Sequence, residues 1–306
     1  MKFVSNYIAI VVIINMVLIS PVLAMSSQNY QISQDSINFA GSDDGKSENF
    51  NLQDSAGEVT SGQMDSNSYS LESGYRQTDD LMPFMSFSVD AANATTKATY
   101  TSFASTSVNT VTMASTPAFI IGDTIVVTEN QGASQRAVVG KVTSINGNVV
   151  TVDFWSGDVT TTSASPSGGD DFVYLLSGNS YNMGVLSANQ VNTALSSYSI
   201  TSSASNGYSV KIYSDHAFWA NGTPLTSVSD GAVSLGAAEY GIRTTGADIS
   251  TSTSDFAPLT TPMVIASSTI RSELRRTATI YKASGSNSLQ AGHYTQKVSY
   301  IATLNF

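Results

Sequence analysis

From residue 81 onward, apolar and polar positions alternate along much of the chain, and a period of two is the mark of a strand with one face buried. Met85, Phe87 and Val89 alternate with serines, as do Tyr208, Val210 and Ile212 with Ser209 and Lys211, and the run Thr277 to Tyr281 follows the same rule. The last strand is the clearest and reads as the longest. Tyr294, Val298, Tyr300, Ala302, Leu304 and Phe306 occupy one face with Gln296 as the exception, and Thr295, Lys297, Ser299, Thr303 and Asn305 lie on the other beside Ile301. Helical spacing is scarce: Ser187 to Leu195 and Ser268 to Arg276 each predict a short helical turn. The pattern predicts an all-β region over residues 81–306.

Within it, residues 100–172 read as a separate unit. Phe119 to Val127 predicts strand, turn, strand. Val142 to Val152 predicts a hairpin, because Asn146-Gly147 suits the positive φ angles of a type I′ turn. Ser/Thr-rich segments at Thr95 to Thr106 and Thr160 to Gly169 suit connections better than core. The expectation is an antiparallel β-sandwich, immunoglobulin-like, whose first strand lies near Phe87, which is interrupted by a small β-barrel-like module and resumes near Phe172.

Before residue 81 the pattern changes. Ser27-Gln-Asn-Tyr30-Gln-Ile32, Ser47-Glu-Asn-Phe50-Asn-Leu52 and Ser66-Asn-Ser-Tyr69-Ser-Leu71 repeat an aromatic followed at i+2 by an aliphatic, which places both on one face of an extended strand. Turn-rich stretches such as Gly41-Ser-Asp-Asp-Gly45 and Ser61-Gly62 suit loops between them. Short strands that dock on each other or on the following domain are expected. Residues 1–24 read as a secretory signal peptide: Lys2 gives a positive start, Tyr7 to Ile19 is apolar apart from Asn15, Pro21 breaks a helix, and Val22-Leu23-Ala24 precedes a cut at Met25. That apolar run is shorter than the roughly 20 residues a spanning helix needs, and no cysteine follows it to carry a lipid. No transmembrane helix is expected after its removal.

Composition narrows the function classes. Charged residues make up 12% of the 306 positions and cysteine is absent, while 50 Ser and 32 Thr supply hydroxyls instead. A net charge of -10 disfavours nucleic-acid binding, and the missing thiols exclude disulfide staples, thiolate metal sites and cysteine nucleophiles. The negative charge is regional: residues 25–80 hold ten acids against two bases. Calcium would suit such carboxylates, but neither Asp43-Asp44-Gly45 nor Gly168-Gly-Asp170-Asp171 has a calcium-loop spacing, so a solvated acidic surface is the better reading.

Candidate chemistry is thin. His216 and His293 lack a metal-ligand spacing. Asp215 and His216, adjacent on a strand, would point to opposite faces, and one of the many serines beside them is uninformative, so both histidines read as structural. No nucleotide-binding glycine motif is present. Trp155 and Trp219, with Tyr181, Tyr198 and Tyr213, could form a sugar-stacking platform, although core and loop-anchor roles are commoner for aromatics in strands. Asn93-Ala-Thr95 and Asn221-Gly-Thr223 match the N-glycosylation sequon. No catalytic, metal or cofactor-binding residue is singled out, and no cofactor is expected.

Asn206-Gly207-Tyr208-Ser-Val210, Tyr240-Gly241-Ile242 and the ending from Ala291-Gly292-His-Tyr294 to Phe306 follow one another in an order that resembles secreted bacterial cell-surface β-sandwich proteins. More distantly, the arrangement is similar to fimbrial, spore-coat-like and WxL-type wall-associated domains. The N-terminal repeat also looks like the segment that precedes such domains. The resemblance implies an extracellular, envelope-associated, nonenzymatic module and names no ligand residue. Independently of it, Asn206-Gly207 predicts a turn into a strand whose Tyr208 ring covers a sheet edge. Gly292-His-Tyr294 is similar to the corner tyrosine of immunoglobulin-like sandwiches, where a phenol ties the strand start to a loop. The expected function is a secreted, noncatalytic structural or adhesive surface protein that meets cell-envelope components, like chains or glycans. A glycan-binding adhesin, an extracellular hydrolase and, from the alternating final strand ending in Phe306, an outer-membrane β-barrel are the rival classes.

Overall fold

The structure is a computed structural model that describes residues 83–306 apart from Gly168, Ser252 and Thr253, together with the backbone of four earlier strands. Contacts divide the chain into two units, 1–82 and 83–306. In the first, β1 (Ala40–Lys46) pairs antiparallel with β2 (Asn51–Ala56), and β3 (Gly62–Asp65) with β4 (Ser70–Ser73). The Gly41 to Gly45 stretch expected as a loop is thus strand. Its register shifts between Ser42 and Gly45, an irregularity that accommodates the turn-forming residues without ending the pairing. The signal segment and Tyr30 to Ile32 lie outside the described residues.

The second unit is nearly all β. Its strands are β5 (Met85–Ala92), β6 (Tyr100–Ala104), β7 (Thr110–Met113), β8 (Thr124–Glu129), β9 (Arg136–Asn146), β10 (Val149–Val152), β11 (Ser156–Gly157) and β12 (Phe172–Gly178). Then follow β13 (Val191–Ser202), β14 (Tyr208–Ser214), β15 (Trp219–Ala220), β16 (Thr223–Pro224), β17 (Thr226–Ser227), β18 (Glu239–Gly246), β19 (Met263–Ser268), β20 (Ser272–Ser284) and β21 (Val298–Leu304). One sheet of 12 strands runs β17-β18-β20-β13-β5-β12-β8-β9-β10-β7-β6, with β11 beside β9. A second, three-stranded sheet runs β19-β14-β21. Pairing is antiparallel except between β17 and β18.

The two sheets share a core. Ala194, Tyr198, Ile200, Tyr240, Ile242, Tyr281 and Ala283 of the large sheet meet Tyr208, Val210, Ile212, Ile265 and Ala266 of the small one, and Val298, Tyr300 and Ala302 of β21 pack on them from the expected face. At 13 residues β20, not the seven-residue β21, is the longest strand. The alternation of β20 is masked because both its faces are covered: Tyr281 and Ala283 point to this core, while Ala278 and Ile280 enter a second core with Leu195 of β13 and Val126, Ala137 and Val139 of β8 and β9.

The same double burial explains why the first of the two expected helical turns is absent. Val191, Ala194, Leu195 and Tyr198 have helical spacing, yet Ala194 and Tyr198 face one core and Leu195 the other, so the apolar positions mark two faces of one strand. Ser268 to Arg276 is the end of β19, a turn and the start of β20.

The inserted module has its own core, formed by Tyr100, Phe103, Val111, Ile125, Val127, Val138, Val150 and Val173 among others. Tyr100 and Phe103, each 4% exposed, lie in a segment expected as a connection; their serine and threonine neighbours hid a strand. The hairpin at Asn146-Gly147 is present, with Gly147 at φ +59°. The barrel is not. β6 ends the sheet path, and the chain before it returns to β12 at a single bridge, Ala98 with Val173. The rest of that β12 edge is occupied: Leu176 and Gly178 pair with β5, and Leu175 bonds to Asn93 and Thr96. Because β12 serves both groups of strands, the module is a continuation of the large sheet and is not closed into a barrel.

Candidate functional site

Chemistry-bearing side chains concentrate where the module crosses the large sheet. Arg243 on β18 and Arg276 and Lys282 on β20 alternate with the residues that enter the shared core, so they project from the opposite face. Arg276, 2% exposed at the side chain, makes two bonds to Asp153 at 2.8 and 2.6 Å, with its guanidinium 4.5 Å from the Phe154 ring centre. Burial pushes the Asp153 carboxyl up, but the bonds from Arg276 and from the N–H groups of Phe154 and Lys141 outweigh it and hold the pKa below the ordinary value. Arg243 grips Asp158 at 2.6 and 3.1 Å and the Gln135 carbonyl at 2.8 Å; Thr245 and the Ala137 N–H complete the carboxylate's partners. Lys282 lies 2.9 Å from Asp255, each 4% exposed, and donates to the Ala133 carbonyl at 2.7 Å. Gly157 lets β11 approach: at φ +129°, a Cβ there would stand 2.3 Å from the Ala137 carbonyl oxygen. These charges hold two layers together.

The residues singled out for chemistry lie elsewhere. Asp215 and His216 fall in the bend after β14, so their side chains meet, 3.4 Å apart, instead of pointing to opposite faces. His216 Nδ1 is 2.6 Å from the Ala217 carbonyl and Nε2 accepts from the Trp219 indole N–H at 2.9 Å. Both ring nitrogens are thereby engaged, which removes the free lone pair a general base needs. Trp155 is 7% exposed, packs on Phe103 with ring centres 5.2 Å apart and donates to the Ala104 carbonyl. Its faces are in the module core. Trp219, 39% exposed on the β15–β16 hairpin, keeps an open surface. Tyr198 is 1% exposed in the shared core, Tyr181 is 36% exposed, and Tyr213 lies on β14. Tyr208 is fully buried, and its hydroxyl donates to Asp248 at 2.9 Å, where a ring covering an edge was expected. Tyr294 donates to the Gln290 carbonyl four residues upstream at 3.0 Å, the contact a corner tyrosine makes.

Asp171 accepts the N–H groups of Asn130 and Ser167 at 2.8 and 2.9 Å, and the side chains of Asp43 and Asp44 lie outside the described residues. Among the described residues no group of three His, Asp or Glu side chains is placed to hold a metal ion, and no helix is long and apolar enough to cross a membrane.

A cavity of about 870 Å³ lies at the junction of β5, β12, the loop after β12 and the start of β13. Six amides are in its lining: Asn93, Gln131, Asn179, Asn182, Gln190 and Asn192. Tyr174 and Tyr181 add aromatic surface and Lys97 the single charge. The walls are braced. Asn192 donates to the carbonyls of Met183 and Val185, Gln190 donates to Asn192, and the Gly184 N–H bonds to Asn182 at 2.8 Å, which fixes the 179–185 loop on β13. The Tyr181 ring rests on Tyr281 with centres 4.6 Å apart. Burial pushes the Tyr174 phenol up to about 12, so it is neutral and can act as donor.

Of these, the sequence marks Tyr181 as a stacking candidate and Asn93 only as part of a sequon. A signal was present: Asn179, Asn182, Asn189, Gln190 and Asn192 crowd amides into a stretch of a chain whose polar residues are otherwise mostly Ser and Thr. No protein-family model, curated protein or solved structure matches this chain.

Proposed function

We propose that this chain is a secreted, noncatalytic structural or adhesive protein of the cell surface, its two facing sheets forming an immunoglobulin-like β-sandwich on which the inserted strands ride. One observation carries the noncatalytic reading: the ion-paired acids Asp153, Asp158 and Asp255 and the half-buried His216, held between Ala217 and Trp219, are spent on structure. Export is supported by the apolar leader over residues 1–24, and an exterior setting agrees with a hydroxyl-rich, charge-poor strand surface. Cell-envelope components, glycans or further copies of the chain are the partners this reading implies.

Fractionation of the producing cells tests it. The chain is expected in the medium or in a surface wash free of detergent, beginning at Met25 by N-terminal sequencing. Recovery in the cytosolic fraction with residues 1–24 intact contradicts the proposal. Extraction by detergent alone favours a membrane β-barrel instead.

A further inference from the structure

We infer that the amide-lined cavity between β5, β12 and β13 is a binding site for a neutral saccharide. Its volume, about 870 Å³, is within the range that encloses a small ligand, large enough for one or two sugar rings. The lining contains no carboxylate and no imidazole, so what it offers is hydrogen bonds without general acid or base chemistry. Its one ammonium is engaged: Lys97 Nζ lies 3.5 Å from the centre of the Phe172 ring and 3.4 Å from Gln131 Oε1. A phosphate or carboxylate ligand would meet this single ammonium and no second cation, whereas hydroxyl groups, each donor and acceptor at once, match side-chain amides that present one of each.

Bonding capacity is left over. Asn179 makes no hydrogen bond among the described residues, and Asn93 and Asn182 use their oxygens on the neighbouring backbone while their NH₂ groups have no partner there. Gln190 donates to Asn192 and keeps its own oxygen unbonded among the described residues. Tyr181 packs on Tyr281 with the ring planes tilted by 36° yet remains 36% exposed, a supported aromatic surface of the kind on which the apolar face of a sugar ring rests. Bracing of the loop on β13 means little ordering is required on binding, which favours affinity.

The inference goes beyond the proposed function and fails separately from it. The full chain is screened against a printed panel of neutral oligosaccharides of hexoses and N-acetylhexosamines, and the best binder is titrated by calorimetry. Saturable binding is expected, weakened at least tenfold in the Asn179→Ala/Gln190→Ala double variant with its melting temperature unchanged, and unaltered in Trp219→Ala. No saturable binding to any member overturns the inference, as does a double variant that binds like the parent, or loss of binding with Trp219→Ala alone. A chain found on the cell exterior that binds no saccharide overturns this site and leaves the surface role standing.

Discussion

Arg276 shows how the sparse charge is used. Its guanidinium is buried against Asp153, and replacing it with Ala leaves that carboxylate facing the layer junction without its cation. Loss of one partner of a buried pair costs about 3–5 kcal/mol, so Arg276→Ala is expected to lower unfolding free energy by about 3 kcal/mol at pH 7 in urea titrations. The pH dependence follows from the depressed Asp153 pKa. Its contribution is present above the unfolded value of about 3.9 and is lost as pH falls through the lower folded value. The gap between the parent and Arg276→Ala should therefore narrow on acidification from pH 7 toward pH 2; a constant gap would detach the pair from stability. None of this pairing is legible in the sequence, because Arg276 and Asp153 are separated by 123 positions and Arg243 and Asp158 by 85. Residue features that depend on near neighbours, such as Asn146-Gly147 and the Tyr294 corner, are legible.

At the level of elements, strands with one covered face are legible in the alternation, and strands with two are legible at most in part. β5, β14 and β21 alternate because solvent meets one side. β13 does not, because it lies between the small sheet and the module, and its apolar residues on two faces imitate a helix; in β20, covered on both faces as well, only the run Thr277 to Tyr281 alternates. The cavity stayed unread for a related reason: it is assembled from the ends of β5, β12 and β13, and sequence order gives no hint that β12 joins both groups of strands. These elements also carry the tyrosines. Burial raises the phenols of Tyr198, Tyr208, Tyr240, Tyr281 and Tyr300 above their ordinary value, and Tyr281 and Tyr300 share a hydrogen bond of 2.8 Å. A raised folded pKa contributes stability below the unfolded value of about 10, and that stability falls as pH rises through the folded value. Spectrophotometric titration should show these phenols silent near pH 10 and ionising together with loss of structure. Free titration of every tyrosine near pH 10 in the folded protein would contradict the packing.

Across the whole molecule, composition and fold explain each other. A chain without cysteine has no disulfide to close it, and among the described residues the closure comes from three apolar cores and from ion pairs buried between layers. Its serines and threonines keep exposed strand faces wet without charge, which is why an all-β architecture was readable from composition and alternation together. The way the module joins the main sheet was not readable, because a strand that serves two groups carries no mark of its own. The proposed noncatalytic role outside the cell rests on the sequence of residues 1–24, the hydroxyl-rich composition and the ion pairing of Asp153, Asp158 and Asp255. Antibody labelling of intact, unpermeabilised cells tests that role most directly. The account predicts labelling at the cell exterior that is removed by external protease; labelling that appears only after permeabilisation would contradict it.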